Sequence, residues 1–361
     1  MFGRLNVSLN GYFLRHPMTG SGQYVINLCR ELQRVASDDR FDVASIGPFY
    51  EALGRPGKLM WELFGWPRAA RRSRAQIVHS PYLSATRRDD RHVMTVHDLI
   101  GFVLRPYART PWMKIYNALA KSAARHAALL LADSEHTAQD VNRVFGVSRD
   151  RVRVVPLGVD PGLAPAPPEA VEQVRSLYEL PDLFVLYLGG GDTRKSLDTL
   201  LRGWFLMPRG KRPLLALAGR IPNTGSSLFP DYRKMSSGFG IGDSIRFLGP
   251  VAESSKAALM SAADAFVFPS KYEGFGLEPL EAMACGKPVI CSDRTSLPEV
   301  VGGAALLADP DEPHEWAEGV LSLLTDPQKS GDLIEAGRAR AAEFTWERTA
   351  RLTLSAYSEL L

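Results

Sequence analysis

The sequence predicts an α/β protein of two domains. Three observations carry this. At 361 residues the chain exceeds one ordinary hydrophobic core. Each half repeats one rhythm: a short apolar run, a glycine-rich or polar turn, then a helical pattern. Between the halves, Pro161-Gly162-Leu163-Ala164-Pro165-Ala166-Pro167-Pro168 has no periodicity and reads as a linker. Residues 1–160 and 161–345 are therefore expected to fold as separate α/β domains.

In the first half, Leu5–Leu9 reads as a strand. A loop, Gly11–Gly22, ends in Thr19-Gly20-Ser21-Gly22, and Tyr24, Val25, Ile26, Leu28 and Leu32 then follow helical spacing. A glycine loop ahead of a helix suits an anion, which makes Gly20 and Gly22 candidate contacts. Phe41–Ile46 is the second strand. Lys58–Arg74 mixes Trp61, Phe64 and Trp66 with Lys58, Arg68, Arg71, Arg72 and Arg74. Aromatic and basic side chains together suit an anionic membrane surface. A core-facing helix with a solvated basic tail gives the same composition, so both readings stay open. Pro67 is expected to break any single long helix here.

Ile77–His79 and Val93–Val96 read as two further parallel strands, the second ending in His97-Asp98. Ligands gather beyond the carboxyl ends of such strands. An imidazole at that tip can donate or accept a hydrogen bond near neutral pH, so His97 is a candidate, and His79 lies at the neighbouring tip. A helix is expected over Thr110–Ala128, a strand over Leu129–Ser134 and a helix over Ser134–Phe145. Glu135, just past that strand, is positioned to reach the same edge. Val152–Pro156 with Leu157-Gly158-Val159-Asp160 closes the half as strand and turn.

The second half restarts with the strand Phe184–Leu188, the loop Gly189-Gly190-Gly191-Asp192-Thr193-Arg194-Lys195-Ser196 and a helix from Leu197. The loop is no dinucleotide fingerprint: Arg194 stands where the third glycine belongs, and the next strand, Leu214–Ala218, ends without an acidic residue. A phosphate-binding G-x4-GK[ST] loop is also absent. Two adjacent cations after glycines still suit a diphosphate, since guanidinium binds phosphate oxygens in pairs and ammonium acts as a compact charge. Lys195 and Arg194 are therefore candidates. The strand Ile245–Leu248 leads into Gly249-Pro250-Val251, and Ala305–Ala308 is a later strand. Helices are expected over His314–Thr325, over Ser330–Phe344 and from Thr345 to Leu361.

Residues 266–299 concentrate the chemistry: FVFPSKYEGFGLEPLEAMACGKPVICSDRTSLPE. The strand Ala265–Phe268 runs into a glycine loop, then a helix beginning near Glu278-Pro279, stopped by Gly286 and Pro288 before the strand Val289–Cys291. The free N–H groups of that helix start favour an anion at Gly274, Phe275, Gly276 and Leu277. Glu273 stands just before the helix and Glu281 in its first turn, eight positions on. They read as contacts to two ends of one ligand.

Glu273-x7-Glu281 within EGFGLEPLEAMACGKPV, with Pro298-Glu299-Val300 beyond, resembles the signature of the retaining, nucleotide-sugar-dependent glycosyltransferases of family 4. The matching motifs extend over residues 19–346. That resemblance implies a GT-B fold: two Rossmann-like parallel-sheet domains facing a central cleft, with a C-terminal helix, 346–361, crossing back to the N-terminal domain. It makes 1–160 the acceptor domain and 161–345 the nucleotide-sugar domain. It implies Glu273, His97 and Lys195 at the transferred sugar and diphosphate, with Glu281 on the ribose. Arg194, Lys195, Gly20, Gly22, Gly274, Phe275, Gly276 and Leu277 complete the donor contacts. The implied reaction moves a sugar, mannose from GDP-mannose as first choice, to a glycan or lipid-linked acceptor. A nucleotide-sugar epimerase, a silent nucleotide-sugar binder and a phosphorylase are the rival classes. The nucleotide-sugar is substrate, so no cofactor and no metal are expected.

The totals narrow the setting. No run of about 18 apolar residues suggests a membrane span, and the N-terminus does not look like a signal peptide. Cys29, Cys285 and Cys291 are odd in number and fit a reducing cytoplasm; the last two lack a second ligand pair at zinc spacing. Residues 1–160 carry net +9 and residues 161–361 net −6. The basic half suits an anionic lipid or acceptor as well as it suits unevenly shared surface charge. The expected location is the cytoplasm, at the inner face of the membrane, with no nucleic-acid partner.

Overall fold

A computed structural model describes residues 5–17, 19–36, 41–48, 54–86, 91–107, 110–222 and 224–360. The chain packs as two units: residues up to Gly158 together with those from Phe344 onward, and Val159–Glu343. The division falls two residues before the expected one.

The first unit holds the strands β1 (Leu5–Asn10), β2 (Phe41–Ile46), β3 (Ile77–Ser80), β4 (His92–Val96), β5 (Leu129–Ala132) and β6 (Val152–Val154). All pair in parallel, in the order β2-β1-β3-β4-β5-β6. The central strands β3, β4 and β5 are buried along their whole length, because helices cover both faces of such a sheet. That is why they read as unbroken apolar runs. Edge strand β2 alternates at its start instead. One core cluster joins Met94, Val96, Leu130 and Ala132 to Phe145.

The helix Gly20–Ala36 begins inside the expected loop, so Gly20 and Gly22 lie in its first turn; a short 3-10 turn, Tyr12–Arg15, fills the segment before it. Residues 54–72 run as helix Gly54–Met60, a widened π turn Trp61–Gly65 and helix Trp66–Arg72. Pro67 therefore does not break the run. It sits at the start of the last piece, where the widened turn takes up its ring and missing N–H. Trp61 and Trp66 are buried against Tyr12 and Tyr82, and the Trp61 indole N–H donates to Asn10 at 2.8 Å. Arg68, Arg71, Arg72 and Arg74 stay exposed. The stretch is thus a core-facing helix with a basic surface, and its tryptophans belong to the core rather than to a membrane interface.

The second unit holds β7 (Phe184–Leu188), β8 (Leu214–Ala218), β9 (Ile245–Gly249), β10 (Ala265–Phe268), β11 (Val289–Ser292) and β12 (Leu306–Ala308), again all parallel, in the order β12-β11-β10-β7-β8-β9. Trp204 and Trp316 are fully buried, and each indole N–H finds a carbonyl, of Pro213 and Asp309. In both sheets the order reverses beside the first strand of the unit, the place where open α/β sheets bind ligands.

The last helix, Trp346–Ser358, belongs to the first unit. Thr345 caps it by accepting from the Arg348 N–H, and it packs against Gly20–Ala36 through Arg34–Glu347 at 2.6 Å. Among the described residues no helix is long and apolar enough to cross a membrane.

Candidate functional site

In the second unit, the tips of β7 and β10 bring the basic turn and the acidic loop together. Lys195 ends a 3-10 turn, Thr193–Lys195, and is buried. Its Nζ lies 2.8 Å from Glu273, 3.6 Å from Glu278 and 4.3 Å from the centre of the Phe268 ring. Arg194 donates to the Glu273 carboxylate at 2.6 Å and to the Tyr272 carbonyl at 2.7 Å, and lies 3.4 Å from Asp192. Ser270 donates to the same Glu273 oxygen. Burial alone would hold Glu273 protonated. The charges of Lys195 and Arg194, with the bonds from Lys195 and Ser270, outweigh it and keep the carboxyl below its usual range. Glu273 is therefore an ionised group, braced through its Oε1. Arg194 commits its Nη1 to Glu273 and to the Tyr272 carbonyl, so of the two cations Lys195 is the less committed to backbone.

The loop that carries Glu273 is fixed from below. Its N–H donates to Thr295, and Ser296 donates to the carbonyls of Glu273 and Phe275. Phe275 is buried. Gly276 turns the chain into the helix Leu277–Ala284 at φ +99°. A Cβ there would stand 2.4 Å from Leu297 Cδ2, so the turn demands glycine. Because the helix starts at Leu277, Glu278 occupies its first turn and Glu281, expected there, lies in the second. Glu281 is buried, with Oε1 2.6 Å from Lys256 Nζ and Oε2 lacking a hydrogen-bond partner among the described residues. Burial pushes its pKa up to about 7, against the pull of Lys256, with Glu278 and Glu253 adding to the rise. Lys256 is in turn pushed up: burial opposes its charge, and Glu281 outweighs burial.

Beside this, a cavity of about 370 Å³ lies at the tips of β8 and β9. Arg220, Pro222, Arg233, Phe247 and Pro250 line it, with the Arg233 guanidinium 4.1 Å from the Phe247 ring centre.

In the first unit, His97 stands just past β4. Its Nδ1 is 2.7 Å from Asp133, and its Nε2 is 3.3 Å from the Pro81 carbonyl. Tyr24, from the helix that opens with Gly20 and Gly22, sets its ring edge-on to His97 at 4.4 Å. Gly22 packs tightly: a Cβ there would stand 2.0 Å from the His16 carbonyl oxygen, while Gly20 faces open space. His79 does not join His97; it is buried between Tyr357 and Thr95, at 2.7 and 2.9 Å. Glu135 points elsewhere, to Arg149 at 2.7 Å.

Sequence reasoning missed Asp133, Glu278, Ser270 and Lys256. Asp133 follows β5 directly, so the strand-tip argument that found His97 would have found it too. Lys256 belongs to no motif, and its role emerges only once Glu253–Ala262 packs beside Glu281.

A family model described as Glycosyl transferases group 1 matches residues 172–340, and one described as Glycosyltransferase Family 4 matches residues 18–163. The chain is 29% identical over 377 residues to O-antigen chain mannosyltransferase B of Escherichia coli, covering 96% of this chain and 98% of that protein. It is also 29% identical over 276 residues to the serotype-specific mannosyltransferase WbdA of Escherichia coli, covering 74% of this chain and about a third of that protein, 33%. Among solved structures, sucrose-phosphate synthase from Thermosynechococcus elongatus superposes with a TM-score of 0.77 at 22% identity over 99% of both chains. WaaG, a glycosyltransferase involved in lipopolysaccharide biosynthesis, does so at 0.72 and 16% identity over 98% of both. At those identities the likeness speaks for the GT-B fold. With both units matched by family models and a relative aligned end to end, the chain belongs to the family 4 glycosyltransferases.

Proposed function

We propose that this glycosyltransferase moves a mannosyl group from GDP-mannose to a hydroxyl of a glycan or lipid-linked acceptor in polysaccharide assembly, with retention at the anomeric carbon. The observation that carries the reading is the buried cluster of Lys195, Arg194 and Glu273 against the start of the helix Leu277–Ala284. It supports a site where a diphosphate leaves while a sugar ring turns positive.

The chemistry follows from the parts. The leaving diphosphate gains negative charge, and Lys195 with the free N–H groups at Leu277 and Glu278 would meet it. Glu273, Asp192 and Glu278 already oppose the two cations, so an incoming diphosphate competes for Lys195 rather than meeting a bare charge. That exchange would free one face of Glu273 for the sugar hydroxyls or for the oxocarbenium-like ring. The orphan Oε2 of Glu281 suits a ribose hydroxyl. Arg194, Lys195 and Ser270 all converge on Oε1 of Glu273 and lower its basicity, which favours a front-face departure over nucleophilic attack by its carboxylate. No metal has a part in this route.

Mannosyl transfer from labelled GDP-mannose to a membrane-derived acceptor tests the reading. Wild-type protein transfers label, with or without EDTA, and Lys195→Ala loses about 100-fold or more in turnover, the scale of one preorganised donor. Label converted to another nucleotide-sugar without acceptor would favour an epimerase instead. The exposed arginines 68, 71, 72 and 74 support a peripheral contact with anionic membrane. Arg71→Glu with Arg72→Glu should then weaken co-sedimentation with phosphatidylglycerol vesicles at low salt; unchanged sedimentation removes that contact.

A further inference from the structure

We infer that Asp133 is the positioning residue of His97, holding the ring doubly protonated so that it serves as a hydrogen-bond donor and not as a base. With Asp133 ionised, the geometry points to that state. Both ring nitrogens of His97 face acceptors: Nδ1 the Asp133 carboxylate at 2.7 Å, Nε2 the Pro81 carbonyl at 3.3 Å. A carbonyl oxygen and a carboxylate accept only, so a neutral ring would leave one nitrogen lone pair against an oxygen. The contact on Nδ1 is short and the one on Nε2 is long. The Nε2–H is therefore the proton an incoming ligand oxygen can take over.

The surroundings favour that state. Burial works against a charged ring, and Asp133, as charge and as acceptor, outweighs it with Asp98 and the Pro81 carbonyl, so His97 lies above its usual pKa. The helix Gly20–Ala36 contributes only the neutral Tyr24, held high by burial. Strand β3 contributes His79, which burial, then His92 and His97, pushes down to about 3, so it adds no like charge. His79 instead closes a fixed chain, Tyr357–His79–Thr95–Tyr24, that pins the Tyr24 ring against His97.

Asp133 is an expensive residue. It is 2% exposed, its Oδ1 has no hydrogen-bond partner among the described residues, and burial outweighs His97 in pushing its own carboxyl up. A half-satisfied buried carboxylate costs stability, which fits a role in function.

This rests on reading His97 as a donor-site residue, and the test separates the two. The full chain labelled with ring-15N histidine is titrated by long-range 1H–15N spectroscopy, with His97→Gln assigning the signal. Reading the ring itself keeps Glu281, which titrates in the same range, out of the result. His97 is expected to keep both ring protons to a pH above the ordinary histidine midpoint of about 6.5. Asp133→Asn, which keeps an acceptor and removes the charge, shifts that midpoint down, and further than Asp98→Asn does. A wild-type midpoint at or below the ordinary value, or one unmoved by Asp133→Asn, overturns the inference; the wild-type titration decides even if the variant fails to fold. In the transfer assay, the alkaline limb of turnover moves to lower pH in Asp133→Asn. A ring that behaves as expected beside an unmoved limb would leave Asp133 in its role and remove His97 from the reaction.

Discussion

Glu281 shows how a single buried carboxyl ties stability to pH. Its folded pKa of about 7 lies above the ordinary 4.5, so the folded chain holds this proton more tightly than the unfolded one. The group's contribution is fully present below about pH 4.5 and is lost as pH rises through 7. Glu281→Gln removes that titration. The variant's unfolding free energy, from denaturant melts at pH 5 to 8, should fall less steeply with pH than wild type's. The difference is bounded by the one-proton ceiling of about 1.4 kcal/mol per pH unit. Parallel slopes would mean Glu281 is not titrating there. Glu281→Ala should also weaken donor binding and abolish the proton uptake or release that the wild type is expected to show by calorimetry near pH 7. At this scale the sequence was readable where residues sit in a motif. Glu273, Lys195 and Arg194 do meet, as the strand tips of one sheet require. What it could not show is whom each residue pairs with. Arg194, a phosphate candidate by its type, also braces Glu273, because pairing depends on distances that spacing does not encode.

The turn at Gly276 is the element on which the acidic loop and the helix start both depend. Its φ of +99° and the 2.4 Å approach to Leu297 leave no room for a side chain. Gly276→Ala should cost roughly 1–3 kcal/mol of stability and displace the N–H groups of Leu277 and Glu278. Thermal melting with and without GDP checks this; a variant that melts and binds like wild type would show the turn to be adaptable. The strands were legible almost to the residue, since parallel strands buried on both faces write themselves as apolar runs. The stretch 58–74 was legible only as two alternatives. Aromatic and basic residues at helical spacing look alike whether the rings face a core or a bilayer, and only the packing of Trp61 and Trp66 on Tyr12 and Tyr82 decides it. The helix starts at Gly20, inside the expected loop, because glycines signal a turn from residue type alone, while the tight seat of Gly22 on the His16 carbonyl is a matter of backbone geometry.

For the molecule as a whole, the division into two parallel-sheet units follows from a repeated strand–helix rhythm broken by a proline-rich linker. That the last helix returns to the first unit is nowhere in its own periodicity; it came from resemblance and is seen in Arg34–Glu347 and His79–Tyr357. A panel of nucleotide-sugars in thermal-shift assays should show the largest rise with GDP-mannose, about 2.7 kcal/mol of stabilisation at 100 times its dissociation constant. A larger rise with a UDP-sugar would reassign the donor and leave the fold and site unchanged. The central claim is that Lys195 and Glu273 grip the departing diphosphate and the sugar it leaves behind. Single-turnover transfer from GDP-mannose, comparing wild type with Lys195→Ala and Glu273→Gln of matched melting temperature, tests it most directly. The account predicts turnover lowered about 100-fold or more in each variant; transfer at the wild-type rate in both would contradict it.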